Sequence, residues 1–180
     1  MLTTGTTAKN LTGSTLKNWY LLSSKPHKDA LAEEQLGNQG YEVYRPLAQR
    51  LRKRRGKMIK AVESLFPRYM FIRLDTLEDN WAPIRSTLGV NQIIRFGQEP
   101  ALVPDNLIQT LRSTEEQLGE KAIDLDRFHH GDRVIPTGGP FKGLNGIFLS
   151  YDGEERAMVL LEIMHSQTKL VISPAKLIAD

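Results

Sequence analysis

Cysteine is absent from this 180-residue chain, which excludes a disulfide scaffold, a thiolate zinc site and a cysteine nucleophile, and fits the reducing conditions of a cytoplasm. Long apolar runs are missing as well: none approaches the roughly 20 residues of a membrane span, so no membrane partner is expected. Residues 1–17 are rich in Thr, Gly and Ser and hold no continuous apolar stretch. They read as a disordered tail and not as a signal peptide. Catalytic groupings are lacking too. His27, His129, His130 and His165 never fall at zinc-binding helical spacing. Gly138 to Gly143 has the spacing of a phosphate loop, but Leu144 and Asn145 follow where Lys and Ser or Thr are needed. Glu33-Glu34 and Glu154-Glu155 read as a helix surface and a turn, not as paired acids in a cleft. Neither an enzyme nor a cofactor or metal is expected.

What the chain does have is unevenly placed charge. The net charge is +3 and the pI about 9.2, a slight bias toward an anionic partner. Between Tyr41 and Lys60, however, eight cations (Arg45, Arg50, Arg52, Lys53, Arg54, Arg55, Lys57 and Lys60) face the single acid Glu42. A solvated loop that keeps two strands soluble would explain such a run equally well. Directly after it comes "LFPRYMFIRL", an apolar and aromatic run with a proline inside it.

Strand and helix signals interleave through Glu120. "NWYLLSS" suits a buried strand. "KPHKDALAEEQLGNQG" suits a helix stopped by Gly37 and Gly40, with Pro26 in its first turn. "YEVYRPLAQRLRK" and "AVESLFPRYMFIRLD" read as two strands of a hairpin with its turn at Arg55-Gly56, where Pro67 marks an edge or bulge. "NWAPIRST" is a short helix, "VNQIIRFG" a strand, and "VPDNLIQTLRSTEEQLGE" a helix with Leu107, Ile108 and Leu111 on one face. Residues 119–128 read as a linker. From 129 to 180, short apolar segments alternate with Gly-Gly-Pro, Gly-Leu-Asn-Gly and Asp-Gly turns, which predicts a small β-barrel of about 50 residues. Yet "RAMVLLEIM" is built from good helix formers, so propensity and barrel context disagree there.

Trp19-Tyr20, the basic hairpin, "LFPRYMFIRL", "IRSTLGV" and "GDRV…GPFKGLNGIF" together resemble the NusG family of transcription elongation factors over residues 18–180. The resemblance implies an α+β architecture. Residues 18–118 resemble the NusG N-terminal domain, an antiparallel sheet with flanking helices, and 129–180 a C-terminal KOW module. "RFGQEPALVP", "DGEERAMVLLEI" and the pair Glu63 and Arg156 resemble the RfaH branch, in which those two positions form an ion pair between domains. In that branch the C-terminal module is an α-hairpin docked on the polymerase-binding face while inactive, and a barrel once released. Asn80-Trp81-Ala82-Pro83 departs from the polar run with which that branch touches the polymerase β subunit.

The family resemblance implies that Phe66, Pro67, Tyr69, Phe96, Ile108 and Leu111 bind the β′ clamp helices of RNA polymerase. Tyr69 is expected to be the most exposed of them, and plain core packing is the competing account for part of the set. It implies that Arg52, Lys53, Arg54 and Arg55 grip phosphates without reading sequence. Lys25, Lys28, Gln35, Arg85, Ser86 and Thr87 are implied to hold the non-template single-stranded DNA. Phe141 and Met164 are implied to contact ribosomal protein S10. The expected function is that of a monomeric elongation and antitermination factor. A general NusG with a permanently β KOW domain, and a ribosome-associated KOW protein binding RNA, are the alternatives.

Overall fold

The computed structural model describes residues 16–117, 122–127, 147–148, 150 and 152–176, with side chains in the last helix described as far as Ser166. Its centre is β1 (Asn18–Ser24), which pairs antiparallel with β5 (Tyr69–Leu74) on one side and with β6 (Val90–Ile93) and β9 (Leu102–Val103) on the other. β2 (Glu42–Tyr44) closes the sheet against β5. Alternation along β1 sends successive side chains to opposite faces. Tyr20 and Leu22 pack with Met70 and Ile72 of β5 against Ala32 and Leu36 of α1 (Asp29–Asn38) and Ile84 of α2 (Ala82–Ser86). Trp19 and Leu21 face the other way, with Phe71, onto Leu107, Ile108 and Leu111 of α3 (Asp105–Gln117). The sheet is therefore buried on both faces, which is why the middle of β1, Trp19 to Leu22, is aromatic or aliphatic at every position.

The two long hairpin strands read from sequence are each broken in the structure. The first gives β2 and β3 (Leu47–Arg54), the second β4 (Lys57–Ser64) and β5. Pro46 and Pro67 fall at the breaks, where their missing N–H groups cost the ladder nothing. β3 and β4 leave the main sheet and form a ribbon of their own, turning at Arg55 (φ 50°) and Gly56 (φ 80°). Two successive left-handed residues are what a tight two-residue hairpin requires. Similarly, "VNQIIRFG" divides into β6 and β7 (Arg95–Phe96), the latter paired with β8 (Glu99–Pro100). Inside the span read as a linker, β10 (Ala122–Asp124) runs parallel to β3, and a 3-10 turn follows at Leu125–Arg127. Ala122, Ile123 and Leu125 are buried there, so this stretch is part of the core.

The largest difference lies at the C-terminus. Gly153–Lys176 forms a helix, α4, where turn spacing suggested strands of a barrel and the resemblance allowed an α-hairpin instead, and no strand occurs among the described residues after Arg127. Local chemistry explains its start. Asp152 Oδ1 accepts from the N–H of Glu154 at 2.9 Å, and the first helical bond runs from Arg156 N to Asp152 O at 3.1 Å. Asp152 is thus an N-cap, and Glu154 and Glu155 lie in the first turn, where the helix dipole favours negative charge. The same Asp-Gly pair that reads as a hairpin turn serves here as a helix start.

α3 is held to the sheet by charge as well as by apolar packing. The Arg112 guanidinium lies 5.3 Å from the Trp19 ring centre and 5.0 Å from that of Tyr44, within cation–π range. Burial raises the Glu115 carboxyl above its ordinary value, despite the opposing charge of Arg112. A carboxyl with a raised native pKa favours folding in its protonated form, and that contribution is lost as pH rises from its ordinary value through the raised one. Glu115→Gln is therefore expected to melt above the parent at pH 7, with the gap closing toward pH 4, as followed by thermal denaturation across that range.

Candidate functional site

The ribbon β3–β4 carries its side chains on two distinct faces. Cross-strand partners share a face, so Arg50, Arg52 and Arg54 lie on one side together with Ala61, Ile59 and Lys57, and Glu63 opposite Ala48 joins them. The other face holds Leu51, Lys53, Met58, Lys60 and Val62. Leu51, Met58 and Val62 are exposed, as is every residue from Leu51 to Lys60. A strip of cations on a projecting ribbon suits contact with phosphates. Lys53, Arg54 and Arg55 occupy its outer end, while Arg52 reaches back to the base, where its Nη2 lies 2.7 Å from Glu63 Oε2.

The base of the ribbon is where α4 arrives. Arg156 is fully buried, with 0% of its side chain exposed. Its Nε donates to Leu65 O at 2.7 Å, its Nη1 to Ser150 O at 3.0 Å and its Nη2 to Glu63 Oε1 at 3.0 Å. Burial pulls its pKa below the ordinary arginine value, and the Glu63 carboxylate opposes that pull. Every branch of the guanidinium is thus satisfied, two by backbone carbonyls and one by a carboxylate. Three residues earlier, Gly153 sits directly against Pro67. A Cβ at position 153 would come within 2.6 Å of Pro67 Cγ, so only glycine permits this approach.

Beyond these anchors, α4 lies on an apolar surface. Leu160, Ile163 and Met164 are buried in one cluster with Phe66, Ile108 and Leu111, and Tyr69 and Phe96 pack at its margin. Phe96 meets His165 with ring centres 5.5 Å apart. Full burial is worth about 1.5–3 kcal/mol for each large apolar side chain, so these contacts supply most of the attraction. The ion pair fixes the register. Tyr69, expected to be the most exposed of its set, is half-buried at the margin of this cluster, and Phe66, Ile108 and Leu111 are fully interior. Pro67 is half-buried beneath Gly153. Met164 is buried in the same cluster, and Phe141 lies outside the described residues.

A third group lies around the start of α1 and the end of α2. Lys25 and Lys28 are exposed before α1, and Lys25 N donates to Gly89 O at 2.8 Å, which draws this corner against the loop after α2. Arg85 and Ser86 are exposed there. Thr87 is not: its hydroxyl donates to Pro83 O at 3.0 Å and accepts from Gln39 Nε2 at 2.9 Å. It fastens α2 to α1, beside a half-buried Gln35. The Asn80–Pro83 segment is fixed by Tyr41, whose hydroxyl donates to Asn80 O at 2.7 Å, and by Trp81, whose indole donates to Asp75 O at 3.0 Å. Sequence reasoning missed Arg50 and Gly153. The strand parity linking Arg50 to Glu63 could have revealed the first, whereas Gly153 carries no signal apart from the tertiary contact.

The family profile "Transcription termination factor nusG" matches residues 17–112, which span the sheet, α1, α2 and the first part of α3. The chain belongs to the NusG family. A "Transcription termination/antitermination protein NusG" of Haemophilus influenzae is 24% identical over 149 residues, covering 77% of this chain and 80% of its own. The protein of that name in Rickettsia bellii is 26% identical over 67% of this chain and 63% of its own, and that in Escherichia coli K12 26% over 63% and 64%. A solved structure described as "Domain interaction in Thermotoga maritima NusG" overlaps 53% of this chain and 55% of that one, at 19% identity and a TM-score of only 0.35. The family match ends before β10, so the part of this NusG-family chain that carries α4 lies beyond it.

The contact of Gly153 with Pro67 allows a direct test of how α4 is held. Gly153→Val cannot keep the present approach and is expected to weaken docking while sparing the sheet. Hydrogen exchange should then accelerate in residues 153–166 and stay unchanged in β1 and β5.

Proposed function

We propose that the chain is an RfaH-like elongation and antitermination factor. It binds RNA polymerase and the non-template strand, suppresses pausing and termination, and couples transcription to translation. It works as a clamp and performs no chemistry. The observation that carries this reading is the burial of Phe66, Ile108 and Leu111 under α4, with Arg156 held at Glu63. An apolar face covered by a helix of its own chain supports a resting form that hides a polymerase-binding surface. The resemblance supplies the partner on that surface, the β′ clamp helices. The ribbon then faces phosphates, and the corner of Lys25, Lys28, Arg85 and Ser86 meets the unstacked strand. The names of the relatives favour a second reading, a general NusG in which the same face is permanently open.

The ion pair separates the two readings. Breaking a buried pair by removing one partner costs about 3–5 kcal/mol, and less here because Glu63 is about a quarter exposed. Glu63→Ser should release α4, raise binding to isolated clamp helices and lower the helical signal in far-UV circular dichroism. Glu63→Arg combined with Arg156→Glu should restore much of the parental state. An unchanged spectrum and unchanged binding in Glu63→Ser would leave the family assignment standing and remove the closed form.

The ribbon has its own test. Replacing Lys53, Arg54 and Arg55 by Ala should weaken binding to elongation scaffolds of any sequence. It should also flatten the dependence on log salt by about 0.7–0.9 for each phosphate that the ribbon no longer neutralises. Weaker binding to one DNA sequence alone, at an unchanged slope, would make the ribbon a reader.

A further inference from the structure

Glu63 is bound by more than one cation. Arg156 Nη2 takes Oε1 at 3.0 Å, Arg52 Nη2 takes Oε2 at 2.7 Å, and Arg50 Nη2 stands 3.6 Å from Oε1. The three arginines are not equivalent. Arg156 comes from the helix that docks, whereas Arg50 and Arg52 belong to the ribbon and stay with Glu63 whatever α4 does, since their strand is paired with that of Glu63 throughout. Their charges also repel Arg156, and the charge of Arg50 acts to lower its pKa.

We propose that Arg52, assisted by Arg50, is a resident counter-ion that takes over Glu63 when Arg156 leaves, and so sets how readily α4 undocks. The inference rests on the closed, RfaH-like form of the chain. In the docked state Glu63 holds Arg156 on one oxygen and Arg52 on the other, which brings like charges together. Once Arg156 has moved into water, the carboxylate keeps Arg52 and Arg50, and their repulsion with Arg156 is gone. Each ribbon arginine therefore stabilises the undocked state more than the docked one. Removing Arg52 relieves that repulsion in the docked state, whereas its attraction to Glu63, made at 2.7 Å with α4 in place, is lost from both states alike. By linkage, a phosphate that draws Arg52 off Glu63 acts like that removal. Contact between the ribbon and nucleic acid alone thus holds α4 down.

The test is native-state hydrogen exchange of residues 153–166 in the full chain, which reads the undocking equilibrium. For a pair as exposed as Arg52 with Glu63, Arg52→Gln should slow exchange about two- to fivefold, and Arg50→Gln with Arg52→Gln should slow it further. Arg52→Lys keeps the charge and should return the rate toward the parent's. Lys57→Gln removes a cation from the same face at the ribbon's outer end and should change nothing. Raising salt should narrow the difference between parent and Arg52→Gln. If Arg52→Gln exchanges as fast as the parent or faster, Arg52 instead positions Glu63 for Arg156 and the proposal is overturned. Glu63→Gln distinguishes the two layers: faster exchange there with no slowing in Arg52→Gln removes only the counter-ion role. No acceleration in Glu63→Gln removes the closed form and, with it, this role.

Discussion

A guanidinium withdrawn completely from water has to find a partner for each of its branches, and that requirement organises the junction between α4 and the rest of the molecule. Arg156 meets it with Leu65 O, Ser150 O and Glu63. Each partner comes from a different place: the turn after β4, the segment before α4, and the base of the ribbon. The arrangement therefore exists only while all three are in register. Apolar contact from Leu160, Ile163 and Met164 could be satisfied by many slightly shifted positions of the helix. The charge can be satisfied by one. Attraction and specificity are thus divided between different residues of the same helix, as is common where buried polar groups select among compact alternatives.

The sheet separates two kinds of surface. One face, through Trp19, Leu21 and Phe71, leads to α3 and the covered apolar surface; the other, through Tyr20 and Leu22, leads to α1, α2 and the polar corner. Because β1 contributes to both cores in strict alternation, the two surfaces have a fixed relative orientation. The ribbon emerges from one edge of this slab and carries its charge well away from both cores. The apolar surface and the cationic ribbon thus share no side chains and face different directions.

The sequence was most legible where a single physical signal acted alone. β1, α2, α3 and the turn at Arg55-Gly56 follow from periodicity and turn chemistry, and the proximity of Glu63 and Arg156 was suggested by the resemblance. It was least legible where signals overlapped. Tyr41–Lys53 reads as one strand because alternation continues through Pro46, yet the proline marks a change of sheet. Residues 122–127 read as a linker because their polar members hide Ala122, Ile123 and Leu125, whose burial depends on pairing with β3. Asp152-Gly153 satisfies the requirements of a hairpin turn and of a helix N-terminus equally well. The Asp152 cap and the neighbour Pro67 go with the helical choice here. Phe96 and Met164 show the same limit from another side, since their burial belongs to one cluster that joins α4 to the rest of the molecule.

The apolar side of α4 has a corollary for how long an undocked molecule can persist alone. Leu160, Ile163 and Met164 and the surface formed by Phe66, Ile108 and Leu111 are two halves of one contact, so separation wets both at once. Contiguous greasy patches of that kind are uncommon on soluble monomers and tend to be sticky. Opening without a replacement for α4 would therefore favour clumping, or rapid reclosure, over a lasting free state. On the reading proposed above, solubility becomes a matter of timing: whatever displaced the helix would have to arrive at that surface as the helix departs.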